Sequence, residues 1–581
     1  MQEKDLLQTV RAKAQQWLSP AYDEDTRRQV QTLLDDADPA ALIEAFYKDL
    51  EFGTGGLRGI MGVGSNRVNR YTVGAATQGL SNYLKKNFAH LPRIAVVVGY
   101  DCRNNSDLFA RTVAQVFAAN GIEVYLFSDM RPTPEVSFAI RHLGCQSGVI
   151  LTASHNPKEY NGYKAYWDDG AQVLAPHDKG IIDEVMQVSS AADIRFEGGE
   201  ELIHIIGNDI DEVYLERLRT VSINPEVVQR QKDLKIVYTP IHGTGMMLVP
   251  RALQSWGFEQ VMTVPEQMVK SGDFPTVESP NPENAEALTL AVEMARLHDA
   301  DLVMATDPDA DRVGIACKDD QGQWVLVNGN QTCMIYLYYI LTQYRQQGRL
   351  TGREFCVKTI VTTELIERIA RRNNIPMLDC YTGFKWIARE IRLREGVQQY
   401  IGGGEESYGF LAQDFVRDKD AVSACCLIAE IAAWAKENGK TLYEMLLDIY
   451  VDYGFSKEYT VNVVKPGKSG AEEIQAMMAQ LRSNPPRSLA GSEVVLVKDY
   501  LSLLATDAAG KTQALDMPET SNVLQFFTAA GDKVSVRPSG TEPKIKFYLE
   551  VGADMPTRAD YAAAGRQADE KIAAIRRELG I

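Results

Sequence analysis

Apolar residues alternate between strand-like and helical spacing over much of the chain. A continuous apolar run at residues 94–98 predicts a buried strand. A helical pattern follows, then a second strand at 122–127, another helical pattern and a third strand at 148–151. Strands separated by helices predict a βαβαβ unit with a mainly parallel sheet.

The same alternation begins twice more. Strands at 234–238 and 301–305 enclose two helical patterns. A further unit combines a helix near 331–344 with strands at 355–361 and 399–401. We therefore predict three related, mixed α/β domains.

Two flanking regions depart from this pattern. Apolar residues at helical spacing predict a helical extension over the first fifty residues. After about residue 454 strands predominate, with two helical patterns among them, which predicts an α+β C-terminal domain. The predicted segments are 1–50, 51–210, 211–328, 329–453 and 454–581.

Composition narrows the class of protein. At 581 residues the chain exceeds what one hydrophobic core usually serves. A net charge of −17 argues against nucleic-acid and anionic-membrane partners, because these select for basic surfaces. The N-terminus lacks an apolar signal core, and no apolar run reaches the roughly 18 residues of a membrane span. Eight cysteines without CxxC or zinc-ligand spacing favour reduced thiols, so we expect a cytoplasmic protein.

Four short polar loops carry the candidate chemistry. The first three follow predicted strands at their carboxyl ends, where open α/β sheets place ligand sites. The loops are 152–157 (TASHNP), 307–312 (DPDADR), 403–407 (GGEES) and 537–541 (RPSGT). Their position therefore favours function before any single residue is considered.

Ser154 lies in the first loop, where Pro157 stops the preceding strand and leaves the serine on a turn. Taken alone, Ser154 is equally a turn residue or a nucleophile. A hydrolase is disfavoured because the chain has no GxSxG motif and because adjacency places His155 poorly as the base for Ser154. We nevertheless include His155 among the candidate catalytic residues.

Asp307, Asp309 and Asp311 occupy alternate positions in the second loop. Three such carboxylates can converge on one hard cation and leave room for a phosphate oxygen, as magnesium prefers. A calcium EF-hand is excluded because Arg312 replaces the loop glycine, Lys318 replaces the terminal glutamate and predicted strands flank the loop. A solvated acidic turn is the remaining alternative, which the apolar strand before it disfavours.

The third loop offers groups that suit sugar hydroxyls. Glu405 supplies an acceptor and Ser407 a donor and acceptor. The three glycines before Glu405 are predicted to let the backbone approach a ligand. By itself, this stretch is better explained as a glycine-rich turn with solvated carboxylates.

The fourth loop contains the parts of a phosphate clamp. Arg537 supplies a guanidinium fork, Ser539 and Thr541 supply hydroxyls, and Gly540 allows a backbone N–H to approach an anion. A hairpin turn with a surface arginine is the alternative.

The order and spacing of the four loops resemble those of the α-D-phosphohexomutase family, the phosphoglucomutases and phosphomannomutases, from about residue 53 to residue 548. The resemblance implies three related α/β domains and a TATA-binding-protein-like C-terminal domain around a central cleft. It implies that Ser154 carries a phosphoryl group and that Mg²⁺ binds a phosphoserine oxygen. The implied protein ligands of the metal are Asp307, Asp309 and Asp311.

The same resemblance assigns further catalytic residues. Lys164 corresponds to the family's general acid/base, and Arg58 to the arginine near the phosphoserine. Gly409 stands where the bacterial dual-specificity enzymes carry a histidine. Lys419 aligns with a lysine of the phosphoglucomutase branch and is our candidate for the second proton transfer.

The resemblance implies substrate contacts in the third and C-terminal domains. We add Arg312 of the second loop, residues 307–312, which we call the metal loop. The predicted substrate-binding residues are Arg312, Thr382, Gly383, Lys385, Glu405, Ser407, Arg537, Ser539, Gly540 and Thr541. The expected partners are small sugar phosphates, with hexose 1,6-bisphosphate as intermediate and activator, and neither nucleic acid nor membrane.

The residues of the third loop and of segment 53–58 resemble those of the longer α-phosphoglucomutase branch. This resemblance favours interconversion of glucose 1-phosphate and glucose 6-phosphate. Phosphopentomutase and phosphomannomutase are the alternatives within the family. A sugar-phosphate sensor without turnover and a plain phosphatase are alternatives of other classes. The sequence leaves the oligomeric state open.

Overall fold

A computed structural model describes residues 3–53, 55–465, 467–539 and 544–581. It contains four main β-sheets, and each of them lies within one of the predicted segments. The predicted class, three mixed α/β domains followed by a sheet-rich C-terminal domain, is confirmed. The segment boundaries stay a prediction.

The N-terminal extension is helical, as its apolar spacing predicts. Its helices are α1 (Glu3–Gln16), α2 (Glu24–Asp35) and α3 (Ala40–Phe46). Asp23 begins α2 by accepting a hydrogen bond from the Thr26 amide at 2.8 Å. Val10 and Trp17 pack with Tyr71 of the first α/β domain in one apolar cluster, so the extension is fixed to that domain.

The first α/β domain has a six-stranded sheet in the order β1-β5-β4-β2-β3-β6. The strands are β1 (Gly56–Ile60), β2 (Ala95–Tyr100), β3 (Glu123–Phe127), β4 (Ser147–Leu151), β5 (Tyr160–Trp167) and β6 (Ile203–Ile206). The helices are α4 (Arg70–Asn87), α5 (Ser106–Ala119), α6 (Thr133–His142) and α7 (His177–Val185). The three predicted strands form the parallel centre, β5 pairs antiparallel with β4, and β1 pairs antiparallel with β5.

The second domain has a five-stranded sheet in the order β11-β10-β9-β7-β8. The strands are β7 (Ile236–Thr239), β8 (Val261–Thr263), β9 (Leu302–Thr306), β10 (Val313–Lys318) and β11 (Trp324–Val327). The helices are α8 (Asn208–Leu218), α9 (Pro225–Arg230), α10 (Gly245–Trp256) and α11 (Thr289–His298). Strands β9 and β10 pair antiparallel, so the 307–312 loop joins two adjacent strands.

The third domain has a four-stranded sheet in the order β13-β12-β14-β15. The strands are β12 (Glu354–Thr359), β13 (Met377–Cys380), β14 (Gln399–Glu405) and β15 (Gly409–Leu411). The helices are α12 (Gly329–Gln346), α13 (Leu365–Arg372), α14 (Phe384–Arg394), α15 (Ala421–Glu437) and α16 (Leu442–Tyr453).

The glycines before Glu405 belong to β14 rather than to a loop. A Cβ on Gly403 would lie 2.2 Å from the carbonyl oxygen of Val357, and one on Gly404 would lie 2.7 Å from the Cys333 sulfur. These two glycines therefore permit close packing inside the domain. That they also let the backbone approach a ligand stays a prediction.

The C-terminal domain is built on one antiparallel sheet in the order β16-β23-β22-β21-β18-β19-β20, with β17 paired to β18. The strands are β16 (Phe455–Val464), β17 (Ser488–Leu489), β18 (Ser492–Asp499), β19 (Leu504–Asp507), β20 (Thr512–Ala514), β21 (Leu524–Thr528), β22 (Lys533–Pro538) and β23 (Lys544–Ala553). The helices are α17 (Gly467–Ser483) and α18 (Tyr561–Leu579).

A buried polar contact attaches this sheet to the third domain. The Lys533 ammonium donates to the Thr362 carbonyl at 2.7 Å and lies 2.6 Å from a Glu364 carboxylate oxygen. Gln525 donates to the Ile360 carbonyl at 2.6 Å. The 360–364 segment is therefore the docking point of the C-terminal sheet.

All eight cysteines are buried and unpaired, in agreement with the expectation of reduced thiols. Among the residues that the structure describes, none of the helices has the length and apolar composition to cross a membrane.

Candidate active site

Ser154 lies three residues beyond the carboxyl end of β4, on a turn with φ of 51°. Its amide donates to Thr152 Oγ1 at 2.8 Å, and its hydroxyl donates to Asp307 Oδ2 at 2.8 Å. The left-handed backbone is uncommon for a residue with a side chain. Ser154 is almost fully buried and faces the metal-loop carboxylates of the second domain.

His155 also contacts the serine, with Nδ1 3.1 Å from the Ser154 hydroxyl oxygen. The expectation that adjacency places it poorly is therefore wrong as geometry, because the turn brings the two side chains together. Burial, together with the positive charges of Arg312 and Arg58, lowers the pKa of His155 to about 2. The imidazole is neutral at physiological pH.

Asp307, Asp309 and Asp311 converge as the alternate spacing predicts. Each offers one carboxylate oxygen, and these oxygens lie within 4.8 Å of one another. The Oδ1 atoms of Asp309 and Asp311 are buried and find no hydrogen-bond partner among the described residues. Buried oxygens without a donor fit a hard divalent cation such as Mg²⁺.

Two lysines balance the charge of these carboxylates. Lys164 Nζ lies 2.6 Å from Asp309 Oδ2 and 3.2 Å from Asp311 Oδ2, while Lys419 Nζ lies 3.0 Å from Asp311 Oδ2. Burial opposes both ammonium groups, but the carboxylates outweigh it and raise the pKa of each lysine. Burial and the other two aspartates raise the pKa of Asp307.

Lys164 and Lys419 come from different domains. Lys164 lies on β5, opposite Ile150 of β4. Strand β4 precedes residues 152–160, which contain Ser154 and which we call the serine turn. Lys419 passes beside Gly409, where an added Cβ would lie 2.1 Å from its Cδ. The absence of a side chain at 409 therefore leaves the space through which Lys419 reaches Asp311.

Two arginines flank the reacting groups. Arg58 has an exposed side chain on β1 and donates to Asn156 Oδ1 at 3.0 Å, so it lies beside the serine turn. Arg312 is held by Glu283, with 2.6 Å between Nη1 and Oε1. Its Nε is buried and finds no hydrogen-bond acceptor among the described residues.

The two predicted sugar-facing loops meet in the structure. Glu405 Oε1 accepts a hydrogen bond from the Gly383 amide at 2.8 Å. Thr382 and Ser407 are half-buried beside these residues in the chain. Burial lowers the pKa of Lys385. The structure therefore joins the 382–385 and 405–407 segments into one surface.

The predicted phosphate clamp begins at the end of β22. Arg537 and Ser539 are half-buried, and the Ser539 amide donates to the Lys544 carbonyl at 2.8 Å. Gly540 and Thr541 lie outside the described residues.

The sequence motifs do not include two residues that hold these loops. Thr133, at the start of α6, donates from Oγ1 to Asp309 Oδ2 and from its amide to the Asp309 carbonyl, both at 2.8 Å. Arg103 donates to backbone carbonyls of the serine turn. Each residue follows a predicted parallel strand at its carboxyl end. The rule that selected the first three loops would have found both.

Three domain models of one family match the chain. They are the phosphoglucomutase/phosphomannomutase α/β/α domains I, II and III, and they match residues 49–192, 212–322 and 328–453. The matches cover the three α/β domains seen in the structure.

Curated relatives match over nearly the whole chain. A phosphoglucomutase of Staphylococcus haemolyticus is 35% identical over 88% of this chain and 92% of its own. A phosphoglucomutase of Staphylococcus aureus is 37% identical over 87% of this chain and 90% of its own. Among solved structures, the open form of the phosphoglucomutase parafusin from Paramecium has a TM-score of 0.67 at 19% identity, covering 92% of this chain and 96% of its own.

Proposed function

Because the chain belongs to the phosphoglucomutase/phosphomannomutase family, we propose that it interconverts α-D-glucose 1-phosphate and glucose 6-phosphate. The observation that carries this proposal is the hydrogen bond from the Ser154 hydroxyl to Asp307 within the three-aspartate loop. The similarity to curated phosphoglucomutases over nearly their whole length supports the choice of substrate.

In the proposed reaction, Ser154 carries a phosphoryl group before substrate binds. A sugar hydroxyl attacks the phosphorus and gives up its proton, while the bond from phosphorus to Ser154 Oγ breaks and this oxygen takes up a proton. Lys164 and Lys419, the ammonium groups paired with Asp309 and Asp311, are the proposed acid/base groups for these proton exchanges. The product of the first transfer is a hexose 1,6-bisphosphate.

We propose that Mg²⁺ binds at Asp307, Asp309 and Asp311, with a phosphoserine oxygen as a further ligand. When bound, the ion would offset the negative charge of the transferring phosphoryl group, the main demand in such reactions. Thr133 orients Asp309, and Arg58 adds positive charge beside the serine turn.

The bisphosphate then turns around and returns its other phosphoryl group to Ser154. Glu405 and Ser407 would bind hydroxyls that are common to both orientations. The clamp that begins at Arg537 and Ser539 would hold the phosphate that is not reacting. The third domain thus binds the sugar ring and the C-terminal domain binds its distant phosphate.

Phosphomannomutase and phosphopentomutase remain the alternatives, since glucose and mannose differ only at C2. A sensor without turnover is disfavoured because the serine, the aspartates and both lysines are all assembled at one place. A plain phosphatase is the other alternative, and it would release inorganic phosphate without forming an isomerised sugar phosphate.

A substrate panel tests the proposal. Glucose, mannose, glucosamine and ribose 1-phosphates are supplied with Mg²⁺ and a small amount of hexose 1,6-bisphosphate, and each product is quantified. We expect dominant conversion of glucose 1-phosphate. Preference for ribose or mannose 1-phosphate would replace the substrate but keep the mechanism. Failure to convert any of them would overturn the proposed activity.

A further inference from the structure

Arg103 is a buried arginine that the proposed reaction does not use directly. Its side chain and that of Asp101 are fully buried at the carboxyl end of β2. We infer that Arg103 is a positioning residue that fixes the serine turn so that the Ser154 oxygen faces the metal loop. This inference rests on the proposed function.

The guanidinium of Arg103 binds four backbone carbonyls of one segment. Nη2 donates to the carbonyl of Ser154 at 2.6 Å and to that of Asn156. Nη1 donates to the carbonyls of Pro157 at 2.8 Å and Tyr160 at 3.0 Å. These contacts extend over the turn from the reacting serine to the first residue of β5.

Convergence of four carbonyl oxygens on one point favours a positive group at that point, because the oxygens repel one another and the Ser154 carbonyl is buried. A planar guanidinium supplies several N–H donors in a fixed fork, which a lysine ammonium does not reproduce. The left-handed backbone of Ser154 lies within this segment. Arg103 therefore stabilises a turn that is unfavourable for a residue with a side chain.

Arg103 is itself held from both sides. The Asp101 carboxylate lies 3.4 Å from Nε and accepts the Arg103 amide hydrogen bond at 2.9 Å. Phe274 of the second domain lies over the guanidinium, with 5.2 Å between the Arg103 Cζ atom and the ring centroid. The domain that carries the metal loop thus packs against the same arginine that holds the serine turn.

This arrangement links Arg103 to the reaction. Ser154 Oγ lies 2.8 Å from Asp307 only while the turn keeps its conformation. Loss of the guanidinium removes the donor shared by the four carbonyls, of which that of Ser154 is buried, and releases the turn. A displacement of about 1 Å in a reacting group can cost about 100-fold in rate.

The test is Arg103→Lys, with Arg131→Lys as the matched control. Arg131 is also a buried arginine of the first domain, but its Nε pairs with Asp211 at 2.7 Å and its side chain does not contact the serine turn. Four quantities are measured for each protein: the rate constant of phosphoryl transfer from labelled phospho-Ser154 to glucose 1-phosphate, the Kd for that sugar phosphate, hydrogen exchange in residues 152–160, and Tm.

For Arg103→Lys we expect transfer about 100-fold slower, Kd within about 3-fold of wild type and faster exchange in the turn. Arg131→Lys is expected to lower Tm while keeping the transfer rate constant and the exchange of the turn. If Arg103→Lys does not fold, Asp101→Asn replaces it, because this change removes the charge that orients the guanidinium. The expected loss of transfer rate is then about 10-fold.

Two failures are distinguishable. If the wild type forms no phospho-Ser154, the proposed function is overturned, and the catalytic part of this inference with it. If the wild type transfers its phosphoryl group and Arg103→Lys does so at the same rate with unchanged exchange, only the positioning role is overturned.

Discussion

The metal loop and the phosphate clamp differ in how they are built. Asp307 and its neighbours are buried where three domains meet, with Ser154 from the first and Lys419 from the third. Arg537 and Ser539 are half-buried on the C-terminal sheet, which docks on the third domain through the 360–364 segment. The groups proposed for bond breaking are therefore assembled before substrate arrives, whereas the groups proposed for binding the distant phosphate belong to a separately attached domain.

The difference between the metal loop and the phosphate clamp follows from the role proposed for each. Phosphoryl transfer requires charges fixed within a fraction of an ångström, and burial among paired charges supplies that order. A clamp has to accept either phosphate of a substrate that turns around, which tolerates partial exposure. Substitutions at the metal loop should therefore lower kcat, and substitutions at the clamp should raise KM.

The largest effect is expected for Ser154→Ala. Removal of the proposed nucleophile should lower turnover at least ~1,000-fold and leave binding of glucose 1-phosphate within a few-fold, because the sugar and clamp residues are untouched. Steady-state turnover and calorimetric binding check both parts. Ser255→Ala, which removes a hydroxyl that donates to the Ala252 carbonyl of its own helix, is the control. Wild-type turnover in Ser154→Ala would remove the serine from the mechanism.

Asp309→Asn should come next. The amide keeps the size of the side chain but removes charge from the metal site, so turnover should fall about 100-fold or more, since a catalytic metal contributes several kcal/mol. Titration with Mg²⁺ should show a matching loss of metal binding, which calorimetry measures without turnover. Asp320→Asn changes an exposed carboxylate of the same domain. It should change neither turnover nor Mg²⁺ binding. Full activity of Asp309→Asn in excess chelator would contradict the metal assignment.

A smaller effect is expected for Gly409→Ala. The new methyl group would displace Lys419 from Asp311, so kcat should fall about 30-fold, less than the roughly 100-fold or more expected for complete loss of an acid/base group, because the lysine itself is kept. Lys419→Met should fall at least as far. The double variant should be no slower than Lys419→Met alone, because both changes remove one interaction. Additive losses would show that the two residues act independently.

The smallest effect is expected for a substitution in the phosphate clamp, and it tests the comparison between the clamp and the metal loop. Arg537→Lys keeps the charge but loses the bidentate fork, so KM for glucose 1-phosphate should rise about 10-fold while kcat stays within about 3-fold. Arg558→Lys, whose guanidinium pairs with Asp448 away from the clamp, is the control. A fall in kcat at unchanged KM would place Arg537 in the chemical step instead.

Most of the fold could be predicted because the buried parallel strands are short apolar runs between helical patterns. The pattern missed β5, which carries Lys164 among aromatic and polar residues in the sequence YNGYKAYW. It also placed the glycines of β14 in a loop, because a strand packed this closely against its neighbours uses glycine where most strands use valine or isoleucine.

The residues of the candidate site also differ in whether the sequence could predict them. Asp307, Asp309 and Asp311 could be predicted because their ligand atoms come from one short loop with regular spacing. The roles of Thr133 and Arg103 depend on contacts between segments that are far apart in the chain. Spacing within a motif does not encode such contacts, so only the position of these residues after parallel strands could have indicated them.

The burial of every cysteine has a practical consequence. Because no native thiol is exposed, a cysteine introduced on the surface would react with a maleimide dye far faster than the native ones. Two such cysteines, for example at the exposed positions Leu297 and Leu501, would carry one label on the second domain and one on the C-terminal domain. The native chain is thus already suited to distance measurements by fluorescence energy transfer without prior removal of its own thiols.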